Sequence, residues 1–301
     1  MPSERLAVYT TVYPGVEPYL RDWYRSVQNQ TDVEFDLWIG ADSLRQEQVV
    51  ALLGLDPPAT WVVARHGDSP ARLRANAMVR MVDAYGAIIF VDSDDVLHPS
   101  RVAMARAALH RHSVSGCALR LIDTFGRDLG AVFEPQPGDD IDSLMPRYNV
   151  FGMSNTAYRA ETLRCCLPVP DDCSLIDWLL ATRAWAAGAS LWFDHAAHMS
   201  YRQHPANIAR VLPPFAPADV VGATARVLNH YQCVLDTGWP MPSGPRHALQ
   251  EARERARDFH RAISTSSTTL QRYVEALNRL APRFVWWWCV AHPALEELWR
   301  N

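Results

Sequence analysis

Lysine is missing altogether from this 301-residue chain: all 29 basic residues are arginine. A compositional bias of the source genome accounts for so uniform a pattern, so no single arginine gains a chemical role from it. The absence does rule out a glycine-rich phosphate loop closed by lysine. Net charge is -4, which excludes a general nucleic-acid binder, since those carry a basic excess. No apolar run reaches the ~20 residues that a membrane-spanning helix needs. The six cysteines (Cys117, Cys165, Cys166, Cys173, Cys233, Cys289) lack the paired spacing of a zinc site. With no secretory leader in view, the expectation is reduced thiols in a cytoplasmic protein.

What remains is ordinary globular material, 49% hydrophobic and 21% charged. Its length suits one large α/β domain, alone or with an appendage. The first half alternates strand and helix signals. Leu6–Val12, Phe35–Gly40, Trp61–Ala64 and Ala87–Val91 read as strands. Helical stretches follow Pro18, run from Gln46 to Leu53, and run from Ser69-Pro70 to about Tyr85, the last with a serine cap and proline at its first position. The continuous apolar run Ala87–Val91 is that of a central parallel strand covered on both faces. The alternation predicts a doubly wound, mostly parallel sheet. Such sheets bind ligands beyond the carboxyl ends of their strands, which places Thr10, Thr11, Asp42 and Asp92 to Asp95 on one rim.

The second half is less regular. Cys117–Ile122 and Gly130–Phe133 read as two strands about a turn, Asn149–Ser154 as a strand or loop lining the site, and Leu191–Phe193 as a short strand. Ser174 and Asp177 have capping-box spacing before a helix. From about Pro213 three helical stretches follow, which divides the chain into residues 1–212, the catalytic domain, and 213–301, a helical subdomain. Leu249, Ala252, Ala256, Phe259 and Ile263 form one apolar stripe; Leu270, Tyr273, Leu277, Leu280 and Phe284 form another. Both read as buried faces, with a homo-oligomer interface as the sharper alternative. Trp286-Trp287-Trp288 cannot share one helical face, so at least one is expected to be exposed or covered by a partner. Peripheral membrane contact through these rings is the alternative to core packing.

The chemistry concentrates in Asp92-Ser93-Asp94-Asp95 at the end of the apolar strand. Three carboxylates in four residues repel one another, which invites a cation. Mg²⁺ or Mn²⁺ prefers oxygen ligands and bridges carboxylates to phosphate oxygens. A solvated acidic turn preceding the helix near Pro99 is the plainer account.

Five elements together carry a family resemblance: Val8-Tyr9-Thr10-Thr11, Ala41-Asp42-Ser43, Val91 to Asp95, Ile176-Asp177-Trp178 and Tyr201-Arg202-Gln203-His204. In order and setting they resemble the family 2 glycosyltransferases of GT-A fold, over roughly residues 5 to 212. The resemblance implies a nucleotide-sugar donor, most simply a UDP-sugar, with Thr10, Thr11 and Tyr13 near the nucleoside and Asp42 on a uracil-like ring. It implies Asp92 with Ser93 at the ribose, Asp94 with Asp92 on Mn²⁺ or Mg²⁺, and Asp95 as a further member of the set. Asp177, before Trp178, matches the general base of an inverting enzyme, while its spacing from Ser174 leaves a capping role open. His204 and Arg202 match a late motif near the metal or diphosphate; read alone, each is equally a structural hydrogen-bonding residue. The family's adjacent Arg-Asn pair is broken here into Arg74-Ala75-Asn76, which leaves Arg72 and Arg74 as rival phosphate ligands.

The working expectation is therefore an inverting, metal-dependent transfer of a sugar to an acceptor hydroxyl. The acceptor itself, whether saccharide, lipid-linked or small molecule, is not legible. Nucleotidyl transfer on a similar scaffold and a non-catalytic scaffold protein are the competing readings.

Overall fold

The computed structural model describes residues 5–300. The first half runs β1 (Leu6–Val12), α1 (Leu20–Gln28), β2 (Phe35–Ala41), α2 (Gln46–Leu53), β3 (Ala59–Val63), α3 (Pro70–Ala84) and β4 (Ala87–Phe90). Past the acidic turn come β5 (Val96–Leu97), α4 (Arg101–Leu109), β6 (Val114–Ile122), β7 (Asp128–Phe133), α5 (Ile141–Leu144), β8 (Thr156–Arg159), α6 (Ala160–Cys166), α7 (Ile176–Ala186) and β9 (Leu191–Arg202). Three long helices, α8 (Pro217–Leu235), α9 (Ser243–Thr265) and α10 (Ser267–Leu277), are followed by a 3-10 turn at Pro293–Leu298.

One sheet takes the order β3-β2-β1-β4-β8-β6-β9-β5, with β7 added beside β6. From β3 to β4 every pairing is parallel. Every residue of β1 is buried, as expected of a strand covered on both faces. Ser69 caps α3, its Oγ accepting the Arg72 N–H at 3.1 Å, and Pro70 takes the first helical position. Because Val12 lies opposite Ala41 and Tyr9 opposite Phe90, the carboxyl ends of β1, β2 and β4 open on a shared edge.

The departures from the sequence reading lie beyond β4. Strand β8, unread in the sequence, runs antiparallel to β4 and to β6. It supplies the change of direction at which the sheet turns from parallel to mixed. Strand β9 is twelve residues long rather than three. Its pairing with β6 slips between Cys117 and Ala118, and this bulge is why no period-2 pattern is visible. Asn149–Ser154 is a loop, and Ser174 is no cap: its Oγ donates to Asn229 Oδ1 at 2.8 Å in α8, and α7 starts two residues later without a side-chain cap.

The apolar stripe of α9 is buried as expected, from Leu249 to Ile263. In the second stripe Tyr273 and Leu277 are buried, but α10 stops at Leu277, so Leu280 and Phe284 follow the helix rather than line it. The tryptophan run is not helical. Trp286, Trp287 and Trp288 are 6%, 7% and 1% exposed, so the expected exposed ring is not found. Separate directions for successive side chains explain this. Trp286 packs on Phe133 at 4.1 Å between ring centroids and on Tyr201 at 5.9 Å. Trp288 meets Phe215 edge-on at 5.2 Å, and its Nε1 donates to the Val211 carbonyl at 3.3 Å.

The contact between α9 and the chain end is anchored by Phe259, fully buried between Tyr273 (4.7 Å) and Trp299 (5.3 Å). Phe259→Ala should cost about 3–5 kcal/mol, the usual range for truncating a buried aromatic ring. Chemical denaturation of the variant beside the parent chain measures it.

Candidate functional site

A cleft of about 300 Å³ opens at the carboxyl edge of the parallel strands, within the size range of small-molecule sites. Its walls come from distant parts of the chain. The loop after β1 gives Tyr13, the end of β2 gives Asp42, α3 gives Arg74, and the turn after β4 gives Asp92 and Asp94. The loop before β8 adds Gly152, Met153 and Ser154, the start of α7 adds Asp177, and the C-terminal stretch adds Trp286 and Trp287. Topology thus gathers six of the sequence-predicted residues in this cleft: Tyr13, Asp42, Arg74, Asp92, Asp94 and Asp177.

The acidic turn is held by hydrogen-bond partners from three segments. Tyr13 Oη donates to Asp94 Oδ2 at 3.3 Å, and His204 Nε2 lies 2.9 Å from the same oxygen. Ser93 Oγ donates to the Thr11 carbonyl at 2.8 Å, which pins the turn to β1. The Asp92 N–H donates to Ser154 Oγ at 3.0 Å, while the Ser154 hydroxyl donates to Asp95 Oδ2. Asp95 Oδ1 accepts the Arg202 N–H at 2.7 Å. Even so, carboxylate oxygens of Asp92, Asp94 and Asp95 lie within 4.8 Å of one another. Burial, and then the charge of Asp94, pushes Asp92 up to about 7. The same two causes, joined by Asp92, hold Asp95 well above the ordinary carboxylate range. A hard divalent cation suits this donor set, which is all oxygen and over-supplied with negative charge. Asp92 and Asp94 face the cleft; the oxygens of Asp95 are already engaged behind it.

Arg202 has a different place. It is 1% exposed, its Nε donates to the Asp94 carbonyl at 2.8 Å, and its guanidinium sits 4.8 Å from the Tyr19 ring centroid. It braces the turn from behind rather than facing a ligand. Thr10 and Thr11 are buried in β1 and do not line the cleft. Arg72 is exposed and pairs with Asp171, and Asn76 is also exposed outside the cleft. The rivalry between arginines is resolved in position: Arg74 is the one in the cleft. Trp178 is fully buried and stacked on His230 at 3.8 Å.

Asp177 stands across the cleft from the acidic turn. It is the second residue of α7, where its carboxylate receives backbone N–H groups of Trp178 and of itself. Asn149 Nδ2 donates to its Oδ2 at 2.8 Å. Burial outweighs these donors and the charge of Arg74, pushing Asp177 up to about 6. Asn149, Ser154 and Trp286-Trp287 escaped the sequence reading as individual contributors. Asn149 and Ser154 carry no spacing signal within the segment expected to line the site, and the tryptophans were weighed between core packing, a partner contact and the membrane surface.

No protein-family model matches this chain, and no curated protein does. Among solved structures it is similar to S. aureus TarS 1-349 in complex with UDP, at 16% identity and a TM-score of 0.57, over 89% of this chain and 75% of that one. It is also similar to the mannosyltransferase PcManGT from Pyrobaculum calidifontis in complex with GDP-Man and Mn²⁺, at 13% identity and 0.55, over 92% and 81%. The fold is the GT-A fold expected from the motifs.

The Asn149 contact lowers the Asp177 pKa by favouring its charged form. In Asn149→Ala the carboxyl should therefore titrate above about 6. The carboxyl carbon resonance of Asp177, followed by NMR across pH 4 to 9 (roughly the carboxyl-to-thiol range), would register the upward shift.

Proposed function

We propose that this chain is an inverting, metal-dependent glycosyltransferase of the family 2 type, moving a sugar from a UDP-sugar to an acceptor hydroxyl. The observation that carries this reading is the opposition of two acidic centres across one cleft. Asp92 and Asp94 lie on one side and Asp177 on the other, with Arg74 interacting electrostatically with both Asp92 and Asp177. The structural neighbours with bound UDP, UDP-GlcNAc or GDP-Man with Mn²⁺ support it as analogies of fold.

In this reading Asp42 and Tyr13 hold the nucleoside and Asp92 takes the ribose. Asp94, with His204 behind it and Asp92 beside it, would hold Mn²⁺ or Mg²⁺. When bound, such an ion neutralises charge on a diphosphate leaving group. Arg74 serves the same oxygens from the protein side. Asp177 accepts the proton of the acceptor hydroxyl as that oxygen bonds to the anomeric carbon and the sugar–phosphate bond breaks. Attack from the face opposite the diphosphate inverts the centre, and the transition state is oxocarbenium-like. A base held near 6 is ionised at neutral pH yet still basic enough to take a proton. The proposal extends to a cytoplasmic protein in which residues 1–212 carry the donor site and residues 213–301 complete the acceptor side.

Two results would test this directly. Asp94→Ala should abolish the dependence of UDP affinity on Mn²⁺ in calorimetric titration; UDP binding indifferent to both metal and substitution removes the metal assignment. Asp177→Asn should keep UDP affinity while kcat falls roughly 10²–10⁴-fold, the usual contribution of a positioned base. In the parent enzyme kcat should decline as pH falls through about 6, since protonation removes the base.

A further inference from the structure

Asn149 has two partners on opposite sides. Its side chain holds Asp177, and its backbone pairs with Trp286, whose N–H donates to the Asn149 carbonyl at 2.9 Å. A second N–H in the same loop fixes the amide: Phe151 N–H donates to Asn149 Oδ1 at 2.9 Å, leaving Nδ2 for the carboxylate. The C-terminal tryptophans are therefore built onto the same fully buried residue that carries the base. Gly152 keeps them close, since a Cβ there would lie 2.4 Å from the Trp286 ring. At Trp287 the backbone has φ 71°, a conformation uncommon for a bulky side chain and found preferentially at ligand sites.

Leu175 and Ile176 adjoin Asp177 in the chain, and the same cleft is lined by Met153, Ile208 and Trp287, with Ser174, Tyr201 and Asn207 as uncharged polar members. Among the described residues lining the cleft, Arg74 is the one Arg or Lys, and it belongs to the donor side. We infer that this wall binds the acceptor, and that the acceptor is an uncharged hydroxyl compound with an apolar face, such as an aryl glycoside. The inference rests on the transferase reading and narrows it. A phosphate or carboxylate on this side would meet Asp177, and the one cation within reach, Arg74, is already shared between Asp92 and Asp177; a further negative charge in a partly desolvated cleft is disfavoured. Aromatic and aliphatic walls instead supply contact area to neutral rings.

The test is a titration of the full chain, followed by intrinsic tryptophan fluorescence, with phenyl glycosides of glucose, galactose, mannose and N-acetylglucosamine and with the 6-phosphates of the same sugars. Each series is run with and without UDP and Mn²⁺. At least one phenyl glycoside should bind ten-fold or more tightly than its paired phosphate, a difference of about 1.4 kcal/mol. Trp287→Ala should erase most of that preference. Ile208 is 62% exposed, so Ile208→Arg keeps the fold and should shift the ratio ten-fold toward the phosphate. Equal or tighter phosphate binding, no binding of any phenyl glycoside, or a ratio unmoved in both variants overturns the inference. Absence of UDP binding with Mn²⁺ overturns the transferase reading instead, and the titrations without UDP still decide the acceptor class.

Discussion

Mutual repulsion among Asp92, Asp94 and Asp95 is the constraint around which the sheet-bearing part of the chain is arranged. Three carboxylates share a space less than 5 Å across, and no strand end tolerates that without help. Help arrives from Tyr13 after β1, Ser154 before β8, and Arg202 and His204 at and after the end of β9. These donors lie far apart in sequence, so the turn cannot form until the sheet does. Each also constrains the fold in return, because displacing any one segment leaves a buried acid with fewer partners. The residual burden is what a divalent cation would relieve. Structural cohesion and the proposed cation site would thus arise from the same unfavourable charge.

Which features could be read from sequence follows from their physical range. The parallel half was legible because β1, β2 and β4 are short, mostly apolar runs that give way within two residues to Tyr13, Asp42 and Asp92, and that pattern is local. Asp42, Asp92 and Asp94 inherit their position from those strand ends. Arg74 was narrowed only to a pair with Arg72: residues two apart on a helix point in roughly opposite directions, and the local sequence does not say which of them turns toward the strand ends. Strand β9 was cut short because a bulge at residues 195–196 breaks its alternation. The reading of Ser174 as a cap failed for a related reason: spacing registers a capping box, but a competing partner on α8, Asn229, is invisible to it. Asn149 and Ser154 had no local signature at all. Their work depends on where the loop before β8 passes, which long-range pairing decides.

The tryptophan run shows the same limit from the other direction. Helical geometry would force one ring outward, and the premise of a helix was the error. A non-helical backbone with one left-handed residue sends three successive rings to the cleft wall, to Phe133 and Tyr201, and to the 211–215 linker. The tryptophan run packs residues 286–288 onto the sheet and the cleft wall.

That packing has a consequence for how the protein is made. Translation delivers the strands bearing Asp42 and Asp92 long before Trp286 leaves the ribosome, and domains begin to fold as they emerge. A nascent chain would then hold its carboxylate-lined rim while Gly152, Phe133 and Tyr201 still lack the ring that covers them. The stretch around Trp286 completes the cleft, so a chain cut before it would present a folded-looking sheet with an open, sticky wall beside Asp177.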